Sequence, residues 1–384
     1  MGFFMDIKDN VVRLYVKRFI IPKALIFDKP GFVDFKISGK TSVFARQLLV
    51  PESFFVELEK KLVDEFKEKG MAVLYSVGKK FGYRFSMLGR FENIKDHPGE
   101  SVKDWIVVAS KFIEGTYATE ISQKIDINNK TVDYFLTNFT VCRKLGYDFF
   151  LATGGAAGVI AWILQEPKIE GFLYDSKFVG QDHTCKVKCA LPETLKAEFG
   201  NKVYTETNLN GLEPDTRSYL QFNVETELQY KKSFQNLLDS KIFSYKRGII
   251  AYKNERFFLM EVSALYLLEM TLEDNRMKEI ISEVAFSVGK NLFAEFSKNN
   301  ITSVLEVFCA LGWGEPILLA GQGKIKVVIK HFPWTEWYDK IEYRVIGGLL
   351  GGVFSEIYKR KILFGKPSYD LISGNLTLLF EEKL

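Results

Sequence analysis

Apolar residues in this chain fall into helical and strand-like spacings that succeed one another in the same order twice. Residues 51–69 (PESFFVELEKKLVDEFKEK) place apolar positions three and four apart with charges between, which predicts an amphipathic helix. A second helix carries the block SVGKKFGYRFS at 76–86, and a third runs up to Gly115. Strands are predicted at 133–141, 171–174 and 184–190, around a Gly-rich helix at 154–164 (GGAAGVIAWIL). The second half repeats the series. It has a helix at 260–272, the block SVGKNLFAEFS at 287–297, a helix ending before Gly312, strand 324–332, Gly-rich helix 347–358 and strand 376–381.

The spacing of matching blocks supports an internal repeat. Residues 46–62 lie 210 positions before 256–272, and 76–86 lie 211 before 287–297. The separation falls to 197 for 107–115 against 304–312, and to 193 for 154–164 against 347–357. It stays at 193 for 181–187 against 374–380. Most of the surplus in the first half falls in the polar stretch 93–103 (NIKDHPGESVK), where a loop absorbs length without cost to a core. Helices grouped before strands, without regular β-α alternation, predict an α+β fold. The expected organisation is a first unit at 1–190, a linker at 191–217 rich in turn residues, and a second unit at 218–384. The two would form an intramolecular pseudo-dimer.

This order resembles the 4-vinyl-reductase-type domain, a small-molecule-binding module in the superfamily of Bet3-like TRAPP subunits and haem-based nitric-oxide sensors. The likeness rests on Gly78 and Gly289, Gly115 and Gly312, Gly154-Gly155 and Gly347-Gly348, and Asn138-Phe139 with His331-Phe332. It implies two tandem Bet3-like units that bind a ligand or a partner. The family's terminal Cys-rich corner is mostly missing: Cys185 alone falls at one of its positions, and Leu378 replaces it in the second half.

Composition narrows the function. The 384 residues include 34 Phe, and aromatics reach 15%, enough for a wide apolar interior or a densely packed core. The net charge of +4 is spread among interleaved acids and bases, without the basic stripe of a nucleic-acid protein. No apolar stretch is long enough to span a membrane, and the N terminus (MGFFMDIKDN) lacks the pattern of a secretory signal. Asp6 spoils a myristoylation reading. Four Cys without framework spacing indicate a reducing compartment, so the expected location is cytoplasmic.

Candidate chemistry is sparse. His183, Cys185 and Cys189 would share one face of a strand, but no fourth ligand accompanies them, so no metal and no cofactor are expected. Cys142 and Cys309 read as packing residues. GGAAG and GGLLGG match neither dinucleotide nor phosphate loops and suit close helix packing, expected where the two halves or two chains meet. Residues 118–139 (ATEISQKIDINNKTVDYFLTNF) read either as a helix-turn-helix or as a hairpin around Asn128-Asn129. The run FPWTEWY at 332–338 reads as a partner patch or as a loop tucked over the core. His97, His183 and His331 form no triad with Ser and Asp, so the chain reads as non-enzymatic. The expected function is to hold an apolar small molecule or a protein partner, with Phe81, Phe85 and Trp162, and Phe293, Phe296 and Phe354, as lining residues. The alternatives are a DNA-binding regulator using 118–139 and a purely structural tethering subunit, in either case with a possible homo-oligomer.

Overall fold

In a computed structural model of the chain, the apolar patterns become helices packed on antiparallel sheets, the α+β class that the sequence predicts. The structure describes residues 25–37, 43–145, 149–200, 207–213, 228–246, 249–297, 300–321, 324–333 and 337–382. The main elements run, in order, β1 (Asp34–Ile37), β2 (Val43–Pro51), α1 (Glu52–Phe66), α2 (Glu68–Leu88), α3 (Val102–Tyr117), β3 (Glu120–Asp126) and β4 (Thr131–Thr137). They continue with α4 (Phe150–Ile163), β5 (Glu170–Val179), β6 (Asp182–Ala190), α5 (Pro192–Phe199), β7 (Ser244–Lys246), β8 (Ile249–Tyr252) and β9 (Glu255–Glu261). The last are α6 (Ser263–Thr271), α7 (Asn275–Asn291), α8 (Ile301–Ala310), β10 (Glu315–Gly321), β11 (Lys324–Lys330), α9 (Arg344–Tyr358), β12 (Ile362–Phe364), β13 (Ser368–Asp370) and β14 (Asn375–Glu382). Among the described residues no helix is long and apolar enough to cross a membrane.

The chain divides into two compact units, neither continuous in sequence. The first takes residues 1–25, 63–214 and 244–258, and the second takes 26–62, 215–243 and 259–384. The sequence-based boundaries at 190 and 218 thus differ from this division at two segments. Turn residues mark where a chain bends, whereas membership of a unit follows the core that a segment's apolar face enters. The expected linker opens with α5, whose Leu195 is buried; its residues 201–206 and 214–217 lie outside those described.

In the first unit the antiparallel sheet has the order β3-β4-β6-β5. Val132 and Tyr134 of β4 pair with Cys189 and Val187 of β6, and all four side chains are buried, so one face of the sheet is apolar. Residues 118–139 form the β3–β4 hairpin, with Ile125 opposite Val132 and Asp126 opposite Thr131. The helix-turn-helix geometry on which the DNA-binding alternative relied is therefore not present there. Local chemistry explains the turn: the Asp126 carboxylate accepts from the Asn129 backbone N–H at 3.1 Å and from its side-chain amide at 2.7 Å. That bond holds the Asp126 carboxyl below the usual carboxylate range.

Helices α2 and α4 of this unit meet at a glycine seam. A Cβ on Gly78 would strike the Leu151 carbonyl oxygen, and one on Gly154 would strike that of Tyr75. Gly82 and Gly158 are likewise closed off by backbone oxygens of the facing helix. The small residues of GGAAG therefore permit backbone approach, as the sequence predicts.

In the second unit the sheet order is β10-β11-β14-β12, with β13 also pairing β14. Val327 and Ile329 of β11 face Leu378 and Leu376 of β14, again as a buried apolar layer. Helices α7 and α9 make the seam, with Gly289 against the Leu349 carbonyl and Gly352 against that of Phe286. Two side-chain caps start the neighbouring helices: Asp274 accepts from Arg276 N–H ahead of α7, and Asn300 accepts from Thr302 N–H ahead of α8. Arg46 of β2 is buried and donates to the carbonyl oxygens of Gly31 and Gly312 at 2.9 and 3.4 Å, beside Asp34 at 3.5 Å.

Candidate ligand-binding cavity

The second unit holds a cavity of about 950 Å³ at the start of α9. One wall is α7, through Ser282, Glu283 and Phe286; a second is the start of α9, through Arg344, Gly347 and Gly348. Leu363, Phe364 and Gly365 of β12 and its following turn close a third side, and Tyr338, Ile341 and Tyr343 a fourth. The volume lies at the upper end of the range for small-molecule sites.

Glycine lets the start of α9 pack closely on its neighbours here. Gly347 faces the Phe364 ring and Gly348 faces Ala285 and the Ser282 carbonyl, so any side chain there would take up room beside α7 and β12. Aromatic rings supply the apolar surface. Tyr343 stacks on Tyr369 with ring centroids 6.1 Å apart, and Tyr338 lies 5.6 Å from Tyr369. The Tyr343 hydroxyl donates to the Tyr338 carbonyl at 3.1 Å, which ties the 338–343 segment to itself. Burial pushes the Tyr343 and Tyr369 hydroxyls above their usual range, aided by the Tyr369 phenol at Tyr343 and by Asp370 at Tyr369, so both stay neutral donors.

Beneath this wall lies a buried carboxylate. Glu269 of α6 accepts from the backbone N–H of Glu342 at 2.9 Å and of Arg344 at 2.7 Å. It thus satisfies orphan donors at the start of α9, which the backbone of Tyr343, at φ 55°, enters sharply. Burial pushes the Glu269 carboxyl up to about 7, while the two N–H donors pull in the opposite direction.

Charged groups ring the mouth. Lys61 pairs with Glu283 at 3.3 Å, and Arg344 pairs with Glu342 and lies 3.4 Å from the Ser282 hydroxyl. Lys361 and Lys366, on either side of β12, are exposed and make no ion pair among the described residues.

The residues singled out from sequence lie elsewhere. Phe81 and Phe85 are half-buried neighbours on α2, with centroids 5.8 Å apart; half-buried Trp162 donates its indole N–H to the Phe91 carbonyl at 2.8 Å. Phe293 stacks on Phe308 at 4.6 Å, Phe296 on Phe243 at 6.1 Å, and Phe354 meets Phe380 edge-on at 5.0 Å, all buried. None of the six lines this cavity. In the run 332–338, Phe332 is buried against Tyr343 and Tyr338 lines the cavity, while residues 334–336 lie outside those described.

His183, Cys185 and Cys189 are buried on one face of β6. Extended backbone carries His183 and Cys189 about 20 Å apart, too far for one ion. Among the described residues no group of three or more His, Cys, Asp or Glu could hold a metal. Burial raises the Cys189 thiol well above its usual range and pushes that of Cys309 up to about 12, so neither is a ready thiolate. His183 lies 3.0 Å from the Ser176 hydroxyl, a pair that sequence reasoning missed because the β5–β6 register creates it. No acid stands behind it: among the described residues Nδ1 of His183 has no hydrogen-bond partner.

Comparison with known proteins adds no relative. No protein-family model and no characterised protein matches the chain. The assignment therefore rests on the cavity and on the two units.

Sequence reasoning also missed the cavity residues. Lys361, Lys366, Tyr343 and Tyr369 carry no motif; of the lining residues, Lys61, Tyr338, Gly347 and Gly348 fell within runs already singled out, for other reasons. A further hidden group is buried in the first unit, where Lys79 Nζ donates to Glu170 at 2.6 Å and the Tyr75 hydroxyl donates to the same carboxylate at 2.6 Å. The Gly171 N–H donates back to Tyr75 at 2.7 Å. The signal was Lys79 at four residues from Tyr75, on the helix face that carries the glycines.

Proposed function

We propose that this protein is a non-enzymatic binding protein built from two fused 4-vinyl-reductase-type units, and that it holds a small molecule with apolar surface in the cavity of the second unit. The cavity carries this reading: about 950 Å³ lined by five aromatic rings, with Gly347 and Gly348 in its wall. The duplication is supported by the recurrence of helix, helix, hairpin, glycine helix and antiparallel strands, with the terminal strand beside the hairpin's second strand in each sheet.

Mass spectrometry of denatured, freshly purified protein tests the reading. A copurifying compound is expected, and it should be lost from the variant Ser282→Trp, which puts an indole into the cavity. A chain that carries no compound, binds no added apolar probe and forms a stable oligomer in light scattering would instead support the tethering reading.

A further inference from the structure

We infer that the ligand of the second unit's cavity is an amphipathic anion, with a flat apolar body on the tyrosine wall and a carboxylate- or phosphate-type head at Lys361 and Lys366. The inference rests on the ligand-binding reading and adds the chemical class.

The charges of the cavity are not evenly matched. Lys61 is matched by Glu283, which also binds Arg276, and Arg344 is matched by Glu342. The start of α9 offers no further anion site, because the Glu269 carboxylate already accepts the backbone N–H groups of Glu342 and Arg344. Lys361 and Lys366 remain, both exposed and without an ion pair among the described residues, one at each end of β12. Ile362 between them is buried, which leaves Lys361 and Leu363 on the cavity side of the strand. Gly365 beside Lys366 adds no side chain that would screen it.

The opposite wall has the complementary character. Tyr343 and Tyr369 present stacked rings with Tyr338 tilted beside them, and Asp339 in the same segment makes no ion pair among the described residues. A negative head is repelled from Asp339 and attracted to the lysines, so the charges orient the ligand as well as select it. An apolar neutral molecule would use the rings and leave both lysines idle.

The test uses two fluorescent probes with one aromatic body, 1-anilinonaphthalene-8-sulfonate and the uncharged N-phenyl-1-naphthylamine, on the full chain. The sulfonate is expected to bind roughly tenfold more tightly, from two partly solvated charge contacts. The double variant Lys361→Met/Lys366→Met should bring that ratio to about one without weakening the neutral probe. Both lysines are exposed, so circular dichroism should confirm an unchanged fold. Ser282→Trp should abolish both. Displacement of the sulfonate by 1-naphthoate or by 1-naphthyl phosphate identifies the head, and either supports the proposal; displacement by neither overturns it. Equal affinities that the lysine changes leave alone, with both probes still lost in Ser282→Trp, overturn the anion inference and leave the cavity standing. Binding of neither probe, or binding that Ser282→Trp does not touch, overturns both.

Discussion

The two units build the same glycine seam and then finish it in opposite ways. In the first, Gly154 lies against the Tyr75 carbonyl and the Lys79 N–H; in the second, Gly352 makes the corresponding contacts with Phe286 and Lys290. Tyr75 and Lys79 turn inward to bind Glu170, so the space beside the seam is filled by a hydrogen-bonded ion pair. Phe286 offers no hydroxyl and lines a cavity, and Lys290 lies on the surface near Glu356 at 3.9 Å. One packing solution thus supports a closed polar core in one unit and an open apolar site in the other. Two helix positions mark the difference, Tyr75 and Lys79 in one unit and Phe286 and Lys290 in the other.

The sharpest way to break that comparison is to treat the two lysines alike. The Lys79 side chain is 1% exposed and that of Lys290 is 49% exposed. Lys79→Met leaves the Glu170 carboxylate buried without its cation and is expected to cost about 3–5 kcal/mol. Lys290→Met should change stability by less than about 0.5 kcal/mol. Hydrogen exchange read separately over 68–88 and 275–291 keeps the two units apart. Adding Glu170→Gln to Lys79→Met should restore at least half the protection, because the orphaned charge is gone while Tyr75 keeps an acceptor. Equal losses at the two lysines would show that Lys79 is not held as described.

What was legible in the sequence follows from the same contrast. The element order and the glycine seam could be read, because apolar periodicity and Gly pairs are local signals. The register between distant blocks could not. Matching GGAAG to GGLLGG at 193 aligns Gly154 with Gly347, whereas the contacts align Gly154 with Gly352. Any small residue satisfies a sequence match, but only the one facing a carbonyl satisfies the seam. The terminal strands slip as well: Val187 pairs with Tyr134 and Leu378 with Val327, so Leu378 stands where Val187 does, not where Cys185 does. One landmark did hold, since Asn138 and His331 both take left-handed backbone at φ 51° and 53°. The cavity was hidden because its rings and lysines come from segments far apart in the chain, and no spacing rule links them.

A smaller effect sharpens the seam itself. Gly154→Ala drives a methyl into the Tyr75 carbonyl and is expected to cost roughly 2 kcal/mol by overpacking. Its neighbour is a matched control. A Cβ on Gly155 would come no closer than 3.8 Å to the Gly78 carbonyl oxygen, ordinary contact. Gly155→Ala should therefore stabilise the first unit by up to about 1 kcal/mol through helix propensity. Urea unfolding of the pair, with exchange over 150–163, checks the opposite signs. A loss of stability at both positions would mean that the helix, not the facing backbone, demands glycine.

The last effect concerns the cavity wall and depends on pH. Glu269 is an acid whose folded-state value, about 7, lies above its ordinary 4.5, so the folded chain holds this proton more tightly than the unfolded chain does. Its contribution is then fully present below about pH 4.5 and is lost as pH rises through 7. The pull of the two backbone N–H groups is already contained in that value, so the rise corresponds to a loss on the order of 3 kcal/mol. Glu269→Gln removes the titration while keeping an acceptor for one of those donors. Relative to the parent, this variant should fare worst at pH 5 and gain ground steadily to pH 8, in thermal melts that follow exchange at 338–348. A difference that stays constant with pH would show that the carboxylate is ionised throughout and acts only as a cap for α9. The comparison between the units would then rest on Lys79 and Phe286 alone.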